Sequence, residues 1–173
     1  MIIAIIIVSV ILLILLFILV SNFLSSYFGS PYLKSKREII QKVLKTTKLK
    51  PGEILYDLGC GKGDVLIEVE KIGAKAIGYE ISPFYYLWAK GRTHRHKNIE
   101  VRFQNIERLD LSKADVIYCY LMPSILRRLA TKFQKELKKT TRLISIDFQI
   151  KNMHLADKLK VQNHTIYIYR SIL

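Results

Sequence analysis

From Met1 to Val20 the chain carries no charged side chain, and Ile, Leu, Val and Phe dominate. A helix of about 20 such residues crosses a hydrocarbon core roughly 30 Å thick. Buried inside a soluble domain, an apolar cylinder of that length would need cover on every side, and too little chain remains to supply it. A cleaved secretory signal fits poorly: no basic residue leads the run, its length exceeds the usual ~7–15 apolar residues, and no A-x-A-like site follows. The expectation is a transmembrane anchor over residues 1–24, with the lipid bilayer as partner of residues 2–24. An interfacial linker over 25–34 and one domain over 35–173 follow. The stretch Ser21–Lys34 is rich in Ser, Gly and aromatic residues, which suits Phe23, Tyr27 and Phe28 to headgroup level.

The chain has 28 Lys and Arg against 14 Asp and Glu, a formal net charge of +14. Such a field attracts nucleic acid, acidic lipid or an acidic protein surface alike. Lys34, Lys36, Arg37, Lys42, Lys45, Lys48 and Lys50 follow the apolar run, so they read as leaflet contacts. The positive-inside rule then places the domain in the cytoplasm and the N-terminus outside. Cys60 and Cys119, in a reducing compartment, are expected as free thiols.

Beyond the linker, strands and helices alternate. Ser35–Thr47 places Ile39, Ile40, Val43 and Leu44 on one helical face, and Pro51-Gly52 closes it. Ile54–Leu58 reads as a strand, Asp64–Ile72 as a helix and Lys75–Tyr79 as a strand. Ser82-Pro83 caps and opens a helix toward Lys90. Strands follow at Ile99–Gln104 and Asp115–Leu121. Pro123 opens a helix through Leu137, and Arg142–Phe148 is a fifth strand. Lys158–Val161 and Thr165–Ser171, separated by Gln162-Asn163-His164, suggest a final antiparallel hairpin. The pattern specifies an open α/β sandwich.

The chemistry concentrates in Asp57-Leu58-Gly59-Cys60-Gly61-Lys62-Gly63-Asp64, where a strand runs through a glycine turn into a helix. Glycines let the backbone approach a ligand closely, and the helix start turns free N–H groups toward it. Glu80 ends the next strand roughly 20 positions on, where a carboxylate can accept from both ribose hydroxyls of an adenosine. Asp64 stands where a dinucleotide fingerprint needs Gly or Ala, which argues against NAD or FAD. A carboxylate ahead of the glycines repels a pyrophosphate but suits a cationic ligand end, such as the amine and sulfonium of S-adenosylmethionine.

Through DLGCGKGD and the acid of GYEIS, the sequence resembles the class I S-adenosylmethionine-dependent methyltransferases. The resemblance implies a Rossmann-like α/β sandwich, a mostly parallel seven-stranded sheet in the order 3-2-1-4-5-7-6 with the last strand antiparallel. It also implies S-adenosyl-L-methionine as cofactor, with Asp57, Gly59, Cys60, Gly61 and Gly63 around the methionine moiety, Glu80 on the ribose, and Asn105 and Ile106 at the adenine. Asn105 stands where many relatives have Asp. The apolar anchor, the segment SPYLKS, and YCYLMP followed by a helix and RLISIDFQI are similar to the membrane-anchored protein lysine methyltransferases. Those act on the adenine nucleotide translocase and on the c-ring protein of ATP synthase, and they have prokaryotic relatives. This likeness implies a protein substrate and a Pro31-Tyr32 segment folded over the cofactor. Lys151–Leu155 departs from the Pro- and Trp-containing segment expected there.

Ligands of open α/β sheets sit beyond the carboxyl ends of the strands, so Tyr32, Tyr120, Leu121, Met122 and Pro123 are candidate pocket residues. No general base is identified, and Asp147 reads as a cap or turn carboxylate. His94 and His96, in the segment Arg92–Lys97, lack a carboxylate or cysteine nearby in sequence, so they read as a solvated basic loop with no metal. That loop supports a runner-up, an RNA methyltransferase, although it lacks interleaved aromatics for base stacking. A catalytically silent S-adenosylmethionine-binding membrane protein is a third reading.

Overall fold

The computed structural model describes residues 1–28, 33 and 35–170, and of residues 22 and 24–28 the backbone alone. Tyr32 and Pro31, expected over the cofactor, lie outside the described residues, as does Ser171.

Helix α1 spans Ile2–Phe28, of which Ile2–Ser21 is long and apolar enough to cross a membrane and, apart from its last residue Ser21, is left unburied by the rest of the chain. Residues 25–28 of the expected linker are therefore helical. No glycine or proline precedes Gly29, so nothing in the sequence stops the helix earlier. Helix α2 (Arg37–Thr46) buries Ile39, Ile40, Val43 and Leu44, as its periodicity requires.

Strand β1 (Ile54–Leu58), helix α3 (Asp64–Glu70), strand β2 (Lys75–Glu80), helix α4 (Pro83–Thr93) and strand β3 (Ile99–Phe103) come next. Strand β4 (Val116–Cys119), helix α5 (Pro123–Glu136), β5 (Arg142–Ile146) and the hairpin β6 (Leu155–Val161) and β7 (His164–Arg170) complete the chain. The sheet order is β3-β2-β1-β4-β5-β7-β6, with β7 antiparallel to both neighbours and the other pairings parallel. This is the expected class I order.

Strand alternation sorts the core into two layers. Leu55, Val116 and Tyr118 face α2 and α3, whereas Tyr56, Leu58, Ile117 and Cys119 face α5. Several boundaries differ from expectation, three of them for a visible reason. Strand β4 begins only after Asp115, whose carboxylate instead accepts from the Ile54 N–H at 2.9 Å. Strand β5 stops at Ile146 because Asp147 turns left-handed, with φ of 63°. Strand β6 begins at Leu155, three residues early, across an irregular register between Leu155 and Asp157 that hides its alternation. The divergent Lys151–Leu155 segment is mostly the turn ahead of it, with Asn152 at φ 58°.

Candidate active site

Leu58 lies in register with Tyr79 of β2 and Cys119 of β4, so Asp57, Glu80 and Tyr120 meet at one carboxyl edge of the sheet. The chain leaves β1 through Gly59, Gly61 and Gly63, all with positive φ (82°, 53° and 79°). Gly63 caps α3 in the left-handed conformation. The Gly59 and Cys60 N–H groups both donate to the Tyr79 carbonyl, at 2.9 and 3.0 Å, which ties the turn to β2. A Cβ on Gly59 would approach Leu121 Cδ2 to 3.2 Å, so the buried Leu121 forms a wall against the turn.

Sequence reasoning overlooked Gly78, which pairs with Asp57. A Cβ there would lie 2.6 Å from Leu66 Cδ1 and 2.7 Å from Cys60 Sγ, so only glycine lets the turn settle on β2. A glycine inside a strand was the available signal.

The two central carboxylates are buried. Desolvation, reinforced by Glu80 and Asp64, holds the Asp57 carboxyl well above its ordinary range. Glu80 is also pushed up by burial, although its oxygens accept from the N–H groups of Gly61 (2.9 Å), Ile81 (2.9 Å) and Ser82 (2.8 Å). Among the described residues, no Lys, Arg or His forms an ion pair with either one. A cationic amine and a pair of hydroxyls are the chemistry such a pair accepts. Cys60 fits as a neutral lining group, since burial and then Asp57 and Glu80 raise its thiol pKa well above the usual range.

Asn105 and Ile106 follow β3 on the neighbouring loop, which Gln104 N–H joins to the Glu80 carbonyl at 3.1 Å. The Asn105 side chain accepts from Glu107 N–H at 2.9 Å and starts a single 3₁₀ turn at Ile106–Arg108, with Ile106 buried. Across the edge, Tyr120 donates its hydroxyl to Asp147 Oδ2 at 2.6 Å. Asp147 also holds His164 Nδ1 at 2.7 Å and accepts from Thr165 N–H at 2.9 Å. Burial opposes its ionisation, but these three partners hold its pKa below the ordinary value. Tyr120 is pushed up to about 12, first by burial and then by Asp147, so its proton stays on. Asp147 is thus the turn carboxylate expected, and His164 is a partner that sequence distance concealed. Pro123 opens α5 beside this loop, and Met122 is exposed.

The basic loop is less solvated than expected. Arg92 pairs with Asp64 at 2.8 Å, and His96 with Glu70, a carboxylate 26 residues earlier. His94 Nδ1 lies 2.7 Å from the Gly91 carbonyl oxygen. A depression of about 490 Å³ between α2 and α3 shares only Asp64 with the glycine motif and is lined mainly by charged side chains.

The seven-strand order with one antiparallel strand, and the glycine turn beside two buried acids, define a Rossmann-like class I methyltransferase fold. Residues 57–157 match the ANTKMT methyltransferase domain family. A protein-lysine N-methyltransferase of Saccharolobus islandicus is 30% identical over 151 residues, covering 80% of this chain and 92% of that protein. The adenine nucleotide translocase lysine N-methyltransferase of Mus musculus is 26% identical over 128 residues, 69% of this chain but only 54% of its own length. Among solved structures, an RNA methyltransferase from Salinibacter ruber in complex with S-adenosyl-L-homocysteine superposes with a TM-score of 0.77 at 23% identity, covering 82% of this chain and 95% of that one. The chain belongs to the ANTKMT methyltransferase domain family and is an S-adenosylmethionine-dependent methyltransferase.

Proposed function

We propose that this chain methylates lysine side chains of a protein, from a domain held on the cytoplasmic face of a membrane by α1. The observation that carries the cofactor assignment is the pair of buried carboxylates, Asp57 and Glu80, without cationic partners among the described residues beside the glycine turn. The lysine acceptor rests on the archaeal and mouse relatives, and the anchor on the apolar span Ile2–Ser21, unburied except at Ser21.

In this reading Asp57, Gly59, Cys60, Gly61 and Gly63 hold the methionine end of the cofactor. Glu80 accepts from the ribose hydroxyls, and Asn105 and Ile106 flank the adenine. Bound S-adenosylmethionine supplies an electrophilic methyl group on a sulfonium. The protein's part is to align the acceptor and exclude water, which is where much of the acceleration of a two-substrate step arises. Tyr120, Leu121 and Pro123 border the acceptor side.

A lysine must lose its proton before attack, and lowering its pKa from about 10.4 to about 7 corresponds to roughly 4–5 kcal/mol. Tyr120 keeps its proton, so it serves as an oriented wall whose oxygen can accept from an amine, not as a base. A desolvated pocket is the physical means left. The RNA reading loses support because Arg92 and His96 of the basic loop are held by Asp64 and Glu70.

The test uses the full chain with methyl-labelled S-adenosylmethionine and membrane fractions. Protease-sensitive label recovered as methyl-lysine is the expected result, and label on RNA or on another residue would overturn the acceptor assignment. Resistance of the chain to alkaline carbonate extraction tests the anchor separately.

A further inference from the structure

Ser21 is the last residue of the apolar span, yet it is buried against the catalytic domain. Its hydroxyl lies 2.7 Å from that of Ser82, the N-cap of α4, and accepts from the Phe84 N–H at 3.0 Å. Ser21, where the apolar span ends and seven residues before α1 itself ends, therefore completes the N-terminal cap of α4. Wherever the span ends, the first turn of α4 lies beside it.

Helix α4 is apolar on both sides. At 100° per residue, Ala89 and Thr93 face the sheet and are buried, while Phe84, Leu87, Trp88 and Gly91 fall on the opposite side. There Leu87 is 57% exposed and Trp88 45%, and the Phe84 and Trp88 rings lie 5.7 Å apart. The helix has no acidic residue, and cations border the face: Lys62 Nζ sits 4.4 Å from the Trp88 ring centre, and Lys90 and Arg95 follow toward the C-terminus, while Arg92 is held by Asp64. Aromatic and aliphatic residues outward with cations around them is the composition of a helix that lies in a headgroup layer.

Resting on the anchor reading above, we infer that the outward face of α4 docks on the anionic lipid surface from which α1 emerges. Two features choose lipid as the occupant: the hydrogen bonds that join the start of α4 to the end of the apolar span, and a cationic border complementary to acidic headgroups. Trp88 is six residues past Ser82, about 9 Å along the helix. The headgroup zone is roughly 5–8 Å deep on each side. A flat α4 keeps Phe84, Leu87 and Trp88 within that zone, whereas an upright one carries Trp88 out of it. Docking would fix the domain's orientation, with the glycine turn next to Lys62 held close to the bilayer.

Trp88 is the only tryptophan in the chain, so its fluorescence reports this face alone. The full chain is reconstituted into vesicles of equimolar phosphatidylcholine and phosphatidylglycerol, some containing a lipid spin-labelled near its headgroup. Trp88 is expected to emit at shorter wavelength, to be quenched by the label, and to resist acrylamide. Leu87→Glu, at an exposed position, is expected to reverse all three while cofactor-induced stabilisation persists. Neutralising Lys90 and Arg95 should lower the docked-to-undocked ratio by ~30-fold, about fivefold for each charge. Acrylamide access equal to that of Leu87→Glu, in a chain that still resists carbonate extraction, would overturn the docking alone. Equal quenching in pure phosphatidylcholine would overturn the assignment to anionic lipid. Extraction by carbonate would overturn the anchor and the docking together.

Discussion

Carboxylates occupy two places along the same sheet edge and are treated in opposite ways. At the β1–β2 end, Asp57 and Glu80 are buried with no cation paired to them among the described residues, and desolvation pushes both pKa values up. At the β5–β7 corner, Asp147 is only partly buried and receives Tyr120, His164 and the Thr165 N–H, which bring its pKa down despite burial. The corner is a finished structure, whereas the β1–β2 end holds two buried carboxyls that no cation of the described residues pairs. In the proposed reading a ligand with a cationic end and two hydroxyls completes it, and such a cost in the free protein marks a candidate binding site.

Several substitutions would break that contrast. Glu80→Ala is expected to weaken S-adenosylhomocysteine binding at least ~100-fold and Asp57→Ala about 10–100-fold, since each charged hydrogen bond contributes about 1.5–3 kcal/mol and Glu80 would make two. Titration calorimetry on the folded variants checks this. Gly78→Ala drives a methyl group into Cys60 and Leu66 and should cost about 1–3 kcal/mol of stability, read by denaturant unfolding, with weaker cofactor binding as the turn shifts.

At the other corner, Asp147→Asn should cost about 1–2 kcal/mol at neutral pH and leave cofactor affinity unchanged. Because the folded pKa of Asp147 is lowered, its contribution is present above the unfolded value near 3.9 and disappears as pH falls through the folded value. The penalty of the variant should therefore shrink in acid. Asp57→Asn has the opposite sign: its raised pKa means that ionisation destabilises the free protein, and stability rises as pH falls through the folded value. The variant should melt several degrees higher without ligand and lose the ligand-induced shift, as thermal scans with and without S-adenosylhomocysteine would show.

Local signals made most of the fold legible. The glycine turn, the cap Ser82-Pro83 and the periodicity of α2 and α5 are each written in a short window, and strand order followed from the resemblance they support. Long-range contacts were not legible. Glu70 reaches His96, and His164 reaches Asp147, through folding alone. Gly78 looked like an ordinary strand residue because the side chains that exclude a Cβ come from the neighbouring turn and helix. Residues 25–28 continue α1 although their serines and aromatics suggest an interfacial linker, and the contact of Ser21 with the cap of α4, 61 residues on, was likewise not legible.

The most direct test is calorimetric titration of S-adenosylmethionine, S-adenosylhomocysteine and NAD into the full chain in detergent, with Asp57→Ala and Glu80→Ala in parallel. Micromolar binding of the two sulfur nucleosides, none of NAD, and loss of binding in both variants is the predicted result. Unchanged affinity in the folded variants would contradict the claim that the two unpaired carboxylates exist to receive the cofactor.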